Sequence, residues 1–142
     1  MRLIITGPTA GGKGTLAAEL ARRLDGEIVS VDSMKIYRGM DVGTAKPSAT
    51  LRAEIPFHLL DIVDPWEEFS VGDFLPRALE SIAEIESRGR MAILQGGSAL
   101  YLNALMNGLF TGPEADWDLR HRLEEEIRER GLDAPCAFLE TT

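Results

Sequence analysis

The sequence predicts an α/β fold in which helices cover both faces of a mainly parallel sheet, giving three layers. Three observations lead to this expectation. Short apolar runs alternate along the chain with longer segments of helical periodicity. The runs end in Gly, Asp or Ser, residue types suited to the edge where parallel sheets bind ligands. The alternation extends through residues 1–112, which we interpret as one core domain.

The first strand and helix are predicted on either side of a glycine-rich turn. Residues 3–6 are apolar and β-branched, which indicates a buried strand. Residues 16–24 place Leu16, Leu20 and Leu24 at helical spacing, with Ala17 and Ala21 beside them. We therefore expect a strand, a turn and a helix in this order.

The turn fits the phosphate-binding pattern G-x-x-x-x-G-K from Gly7 to Lys13. Backbone N–H groups, a helix N-terminus and a mobile lysine together favour a diphosphate or triphosphate, whereas the alternative is an ordinary glycine-rich turn. A Ser or Thr normally follows the lysine and holds Mg²⁺, but here that hydroxyl comes one residue later. Thr15 is accordingly the candidate Mg²⁺ ligand. The candidate phosphate-binding residues are Gly7, Pro8, Thr9, Ala10, Gly11, Gly12, Lys13, Gly14 and Thr15.

The second strand is predicted over residues 27–31, with alternating burial, and ends at Asp32. A carboxylate at this position can accept a proton or hold Mg²⁺, or it can cap a following helix. Residues 38–48 contain two glycines and a proline without periodicity, which predicts a loop. Residues 32–52 carry four basic and two acidic side chains, suited either to docking a polyanion or to a solvated surface.

The next segments complete the core domain. Residues 57–63 form either a third strand or an extended segment, with His58 in a structural role. A helix begins at the Ser70 and Asp73 capping pair and ends at Gly89. Its predicted apolar face consists of Val71, Phe74, Leu75, Ala78, Leu79, Ile82 and Ile85.

A last core strand over residues 91–94 is followed by Gln95-Gly96-Gly97-Ser98. The two glycines allow close approach of a ligand, and Ser98 either contacts that ligand or caps the next helix. The strand lacks the acidic end of motor-type ATPases, for which Asp61 is the nearest substitute.

Residues 113–142 are densely charged and are predicted to form a separate helical subdomain. Leu119, Leu123 and Ile127 form a narrow apolar stripe within a charged helix over 116–130. The whole chain of 142 residues has a net charge of −8, which argues against indiscriminate binding of nucleic acids. One cysteine, Cys136, and the absence of a long apolar run predict a cytoplasmic protein with no membrane segment. We expect a monomer.

Four stretches together resemble the tRNA dimethylallyltransferases, also called tRNA isopentenyltransferases, which have a P-loop NTPase-like core. The second stretch is long and specific, and all four occur in the family's order. They are residues 7–13 (GPTAGGK), 32–47 (DSMKIYRGMDVGTAKP), 58–61 (HLLD) and 96–101 (GGSALY).

The resemblance implies transfer of a dimethylallyl group from dimethylallyl pyrophosphate to N6 of an adenosine beside the tRNA anticodon. Asp32 would then be the general base, and Lys13 and Thr9, with Mg²⁺, would hold the diphosphate. The implied partners are tRNA and the allylic diphosphate. The residues that the resemblance places against tRNA are Asp32, Ser33, Met34, Lys35, Ser98 and Arg120.

Three residues depart from the family pattern, and the chain is much shorter than family members. Lys35 replaces a glutamine that helps to read the adenine, Ala99 replaces a glycine, and Gly14 stands where Ser or Thr is usual. The resemblance implies that residues 113–142 begin the family's helical tRNA-binding insertion, and the missing length implies a fragment, a truncated gene product or a divergent short form. Two alternatives follow from the residues, namely a small nucleotide or nucleoside kinase, because Gly-Lys-Gly-Thr also occurs in adenylate kinases, and a phosphate-binding remnant without catalysis.

Overall fold

A computed structural model describes residues 1–110, 112 and 116–131, so Cys136 and parts of the predicted insertion lie outside it. The chain divides into two compact units, Met1–Leu109 and a second one that begins at Phe110. The predicted boundary after residue 112 stays a prediction. In the described part of the chain, no helix is both long and apolar enough to cross a membrane.

The first unit is built on a four-stranded sheet in which every pairing is parallel, as the sequence predicted. The spatial order is β1-β4-β2-β3. The strands are β1 (Arg2–Ile5), β2 (Gly26–Val31), β3 (Phe57–His58) and β4 (Met91–Gly96). Since parallel strands align their carboxyl ends, the segments after β1, β2 and β4 meet at one edge of the sheet.

Helices cover both faces of the sheet, which confirms the predicted α/β class. Helix α1 (Lys13–Arg23) and the short α2 (Ala49–Glu54) lie on one face, where the alanines of α1 and Leu51 of α2 pack in the cluster that contains Ile28 and Ile93. Helices α3 (Val71–Ser87) and α4 (Ala99–Asn107) cover the other face. The α2 helix was not predicted, because only its Ser48 cap, whose Oγ accepts from the Leu51 N–H, distinguishes it locally.

The structure corrects three details of the predicted strands, two in burial and one in length. Residues 3–6 were expected to be buried, but β1 is an edge strand in the described sheet, and Ile4 is exposed. Strand β2 is buried at all six positions rather than alternately, since helices cover both of its faces. Strand β3 has two residues rather than seven, because Leu59 and Asp61 adopt positive φ angles.

Helices α1 and α3 each expose some of the apolar residues that were predicted for their packed faces. On the predicted face of α1, Ala17 and Ala21 are buried and Leu20 packs against the core, but Leu16 and Leu24 are exposed. Small side chains on this face bring the helix axis close to the strands. In α3 the predicted capping box is present, but Leu79 is 44% exposed.

Helix α5 (Trp117–Arg130) is the described element of the second unit and confirms the predicted helix over 116–130. Asp116 caps it, because its Oδ1 accepts a hydrogen bond from the Leu119 N–H at 2.8 Å. None of its described residues is buried, and Leu119 and Leu123 are exposed.

Candidate functional site at the carboxyl edge of the sheet

The glycine-rich loop between β1 and α1 has the form of an anion cradle. Gly12 occupies the N-cap position of α1 with φ 72°, a left-handed conformation that suits glycine, and no side chain caps the helix. The first turn contains no acidic residue. Backbone N–H groups at this end are therefore available to a negatively charged ligand.

Lys13 is folded back onto the loop that precedes it. Its Nζ donates hydrogen bonds to the carbonyl oxygens of Gly7, at 3.0 Å, and Pro8, at 2.7 Å. The ammonium group thus remains at the mouth of the cradle, where an incoming phosphate would meet it.

Asp32 follows β2 and organises a turn rather than a helix. Its Oδ1 accepts hydrogen bonds from the N–H groups of Met34, at 2.9 Å, and Lys35, at 3.3 Å. The expected alternative, capping of a following helix, is therefore wrong, because residues 33–36 form turns. Within the described part of the chain no donor contacts Oδ2, so one carboxylate oxygen is left for a ligand.

Ser98 joins two segments at the sheet edge. It occupies the N-cap position of α4, yet its side chain caps nothing. Its Oγ instead accepts a hydrogen bond from the Ser33 N–H at 3.0 Å, and its own N–H donates to the Val31 carbonyl at 3.3 Å. The capping alternative for Ser98 is therefore wrong, and its hydroxyl supports the turn that carries Asp32.

Gly96 allows β4 to approach β2 closely beneath this site. A Cβ at this position would lie 1.8 Å from the Val31 carbonyl oxygen, which no side chain can tolerate. The glycine is thus required by the backbone packing, and its neighbour Gly97 has open space around it.

These segments line one cavity of about 610 Å³. It brings together the predicted phosphate loop from Thr9 to Thr15 with Asp32, Met34, Lys35 and Ser98. Gly7 and Pro8 do not line it and contribute the carbonyls that hold Lys13. Ser33 does not line it either, although its hydroxyl lies 3.4 Å from that of Ser98.

The sequence did not single out part of the cavity lining. One such residue is Gln95, which lines the cavity and is 7% exposed. In the sequence it could have been recognised as a polar residue near the end of an otherwise apolar strand. A further part of the lining comes from the loop over 38–48, which was predicted as a loop without assigned contacts. Its lining residues are Met40, Val42, Gly43, Thr44 and Ala45.

The cavity offers few protein ligands for a metal ion. Thr15 and Asp32 supply a hydroxyl and a carboxylate, and the described residues contain no cluster of three or more His, Cys, Asp or Glu side chains. This donor set fits Mg²⁺, which keeps several waters and is often bound largely through substrate phosphates.

Most of the predicted basic patch is neutralised. Lys46 and Arg52 both pair with Asp61, at 2.6 and 2.5 Å, and Arg38 pairs with Asp64 at 3.0 Å. Lys35 makes no ion pair within the described residues and lines the cavity. Asp61 is thus part of an ion-pair cluster and does not replace the acidic residue of a motor-type ATPase.

A second ion-pair cluster lies at the amino ends of the strands, at the opposite edge of the sheet. Glu27 is 3% exposed, and its carboxylate lies 2.6 Å from His58 Nε2, 2.9 Å from Arg88 and 3.1 Å from Arg90. Burial raises the pKa of Glu27, but these hydrogen bonds outweigh it and hold the pKa below the usual 4.5. The contacts agree with the structural role expected for His58.

Arg120 belongs to α5 in the second unit. Its guanidinium carbon lies 4.8 Å from the centre of the Trp117 ring, which is cation–π geometry. Its predicted contact with tRNA stays a prediction.

Comparison with known proteins agrees with this geometry. The family model described as IPP transferase matches residues 35–142. A tRNA dimethylallyltransferase of Methylococcus capsulatus is 54% identical over 137 residues, which cover 96% of this chain and 44% of that protein. This chain therefore spans less than half the length of that relative.

Solved structures give the same result. A full-length tRNA isopentenylpyrophosphate transferase from Bacillus halodurans matches with a TM-score of 0.75 and 46% identity, covering 99% of this chain and 46% of that one. A eukaryotic dimethylallyltransferase acting on tRNA matches with a TM-score of 0.72 and 29% identity, covering 91% and 32% of the two chains. The phosphate loop, the Asp32 turn and these similarities together show that the chain belongs to the IPP transferase family.

Proposed function

We propose that this chain forms the diphosphate-binding and proton-accepting part of a tRNA dimethylallyltransferase. Such an enzyme transfers a dimethylallyl group from dimethylallyl pyrophosphate to N6 of an adenosine beside the tRNA anticodon. One observation carries the proposal: a single cavity is lined by the phosphate loop and by Asp32. A phosphate cradle with a carboxylate at its rim suits a reaction that releases diphosphate and removes a proton.

The phosphate loop would bind the leaving group. The N–H groups at the start of α1 and the Lys13 ammonium stabilise the negative charge that develops as the carbon–oxygen bond to diphosphate breaks. Thr9 adds a hydroxyl from the same cavity. Lys13 would exchange its bonds to the Gly7 and Pro8 carbonyls for phosphate oxygens.

Asp32 would act on the nucleophile. The N6 nitrogen forms a bond to the allylic carbon and loses a proton, which the carboxylate accepts. Because Oδ1 is engaged by the turn, Oδ2 is the oxygen placed to receive that proton. The adenosine has to leave its stack to reach this site, as bases generally do in enzymes that modify them.

Mg²⁺ is the cofactor that this site would take. The Thr15 hydroxyl would hold it, directly or through water, together with the diphosphate, which leaves Asp32 Oδ2 to accept the proton. When bound, the ion neutralises charge on the leaving group.

The tRNA would approach across the Asp32 turn. Ser33, Met34 and Lys35 belong to that turn, and Ser98 supports it. Arg120 is proposed as a further tRNA contact by family resemblance. We also propose that the protein is a cytoplasmic monomer, which a sedimentation experiment on the purified chain tests for the oligomeric state.

Equilibrium dialysis with radiolabelled ligands tests the binding half of the proposal. Dimethylallyl pyrophosphate and ATP are compared, each with Mg²⁺, for the wild-type chain and Lys13→Ala. We expect preference for the allylic diphosphate and a loss of affinity of about tenfold or more in Lys13→Ala, equivalent to about 1.4 kcal/mol. The matched control is Arg23→Ala, which removes a cation from the far end of the same helix and should bind normally.

A transfer assay tests the catalytic half. Asp32→Asn should retain diphosphate binding but abolish prenyl transfer to tRNA. A clear preference for ATP would instead favour the kinase alternative. Binding of neither ligand by the wild-type chain would overturn the proposal, whereas binding without transfer would support the non-catalytic alternative.

A further inference from the structure

Part of the cavity lining, separate in sequence from the phosphate loop, is formed by a segment with little regular structure. This segment, residues 38–48, is called the wall loop here. Met40, Val42 and Ala45 give it an apolar surface, and Val42 is 97% exposed. Ala45 adopts a φ of 51°, a conformation that non-glycine residues rarely hold without support. Something outside the lining must therefore hold this loop in place.

Lys46 provides that support from behind the wall. Its side chain is only 2% exposed and does not line the cavity. Its Nζ donates to the Tyr37 carbonyl at 2.6 Å, to Asp41 at 2.9 Å and to Asp61 at 2.6 Å. These contacts use all three donors of the ammonium group and join the residue before the loop, its middle and a separate segment.

The charge of Lys46 is maintained at neutral pH. Burial lowers the pKa of its ammonium, but hydrogen bonds and attraction from Asp61 and Asp41 outweigh burial and raise the pKa above 10.5. Removal of this buried cation would leave Asp61 paired with Arg52 alone and the Tyr37 carbonyl without this donor. The wall loop should therefore respond strongly to the loss of this one residue.

Asp61 anchors the cluster to the rest of the first unit. Its second oxygen accepts a hydrogen bond from Arg52, and its N–H donates to the Lys35 carbonyl at 3.2 Å. Arg52 also donates to the Pro47 carbonyl at 3.0 Å, next to Lys46. The wall loop is thus fixed to the same segment that carries the Asp32 turn.

The phosphate side of the cavity is held independently. The glycine-rich loop is fixed by β1, by α1 and by the contacts of Lys13 to Gly7 and Pro8. None of these residues contacts Lys46 or its carboxylate partners in the described part of the chain. The two walls can therefore be perturbed separately.

We propose that Lys46 is a positioning residue that holds the apolar wall loop against the organic portion of the bound diphosphate ester. It does so without touching the ligand, and it leaves the affinity for the diphosphate group itself to the phosphate loop. This inference rests on the proposed function, since it assigns the apolar wall to the prenyl side of the same ligand.

A comparison of two ligands tests the inference. The affinities of dimethylallyl pyrophosphate and inorganic pyrophosphate, both with Mg²⁺, are measured by equilibrium dialysis for wild type, Lys46→Met and Lys46→Arg. We expect Lys46→Met to lower the affinity for dimethylallyl pyrophosphate by about tenfold and the affinity for pyrophosphate by less than about twofold. Lys46→Arg, which keeps the charge, should recover part of the affinity for the prenylated ligand.

A milder variant keeps the test valid if Lys46→Met does not fold. Asp41 is 64% exposed, so Asp41→Asn removes the negative charge of one Lys46 partner at the surface while it keeps an acceptor oxygen. This variant should lower the affinity for dimethylallyl pyrophosphate by about threefold and leave the affinity for pyrophosphate unchanged. Thermal unfolding of each variant shows whether the protein remains folded at the temperature of the binding measurement.

The outcomes separate this inference from the proposed function. Equal loss of both ligands in Lys46→Met would mean that the residue only supports the fold, and unchanged affinity for both would show that the wall loop does not need it. Either result overturns the positioning role and leaves the proposed function standing. Failure of the wild-type chain to bind either ligand would overturn the proposed function, and this inference with it.

Discussion

The backbone N–H of Ser33 donates a hydrogen bond to the hydroxyl oxygen of Ser98 at 3.0 Å, and this bond links the turn after β2 to the start of α4. The two residues are 65 positions apart in sequence. Asp32 immediately precedes Ser33, so its carboxylate is held from one side by its own turn and from the other by this contact. The position of the proposed base thus depends on two strand ends meeting.

Replacement of Ser98 by Ala should release the Ser33 N–H. We expect a loss of about 1 kcal/mol in the free energy of unfolding, the usual value for one hydrogen bond, measured by urea denaturation. Ser98→Thr keeps the hydroxyl and should lose less than half as much. Equal losses in both variants would show that the hydroxyl does not matter.

Gly96→Ala should disrupt the fold. The added methyl group would lie 1.8 Å from the Val31 carbonyl oxygen, so the strands have to separate. We expect the free energy of unfolding to fall by more than about 4 kcal/mol, measured by chemical denaturation, or no folded protein to be obtained. Gly97→Ala is the control, because the nearest atom would lie 3.9 Å away, and a comparable loss there would contradict this explanation.

Glu27→Gln should destabilise the chain in a pH-dependent way. Because the pKa of Glu27 in the folded state lies below 4.5, its stabilisation is complete above that pH and is lost as the pH falls through the folded-state pKa. We expect the free energy of unfolding of wild type to exceed that of the variant by about 3 kcal/mol at pH 7. This difference should narrow as the pH falls below 4.5. Urea denaturation at pH 7 and at lower pH measures both values.

The control for this prediction is Glu54→Gln, which removes an exposed carboxylate paired with Arg22. Exposed ion pairs contribute little, so this variant should remain close to wild type at both pH values. A constant difference between Glu27→Gln and wild type across the pH range would contradict the assigned ionisation.

Lys35 should contribute to RNA binding more than Arg38 does. Lys35 lines the cavity without an ion pair in the described residues, whereas Arg38 is held by Asp64 and by the Ile62 carbonyl. For an anticodon stem-loop RNA, we expect Lys35→Ala to lower the slope of log affinity against log salt by about 1. Fluorescence anisotropy at several salt concentrations measures the slope, and an equal effect of Arg38→Ala would argue against the assignment.

The sequence was sufficient for the parts of the fold that local chemistry determines. The strand, glycine-rich turn and helix around Lys13, the Ser70 and Asp73 capping box, and the parallel sheet were all predicted and are confirmed. Each depends on residues adjacent in the chain or on a strict period. The membership of Asp32 and Ser98 in one cavity also followed, because both lie at carboxyl ends of parallel strands.

The sequence was insufficient where distant segments decide burial. Leu16 and Leu24 of α1 shared the helical spacing of Leu20, but only Leu20 of the three packs against the core, beside the buried alanines. Lys46 and Arg52 looked like a basic surface, yet Asp61 neutralises both from nine or more residues away. Whether an apolar side chain is buried or a charged one is neutralised depends on its partner in the fold, which a local sequence pattern does not specify.

The folded-back position of Lys13 has a thermodynamic consequence. Because its ammonium already has two carbonyl acceptors, arrival of a phosphate exchanges one set of hydrogen bonds for another. The heat released on binding is then a difference between two similar enthalpies, so it should be small even where affinity is high. The displacement of solvent and counterions would then supply most of the binding free energy, and the affinity should change little with temperature.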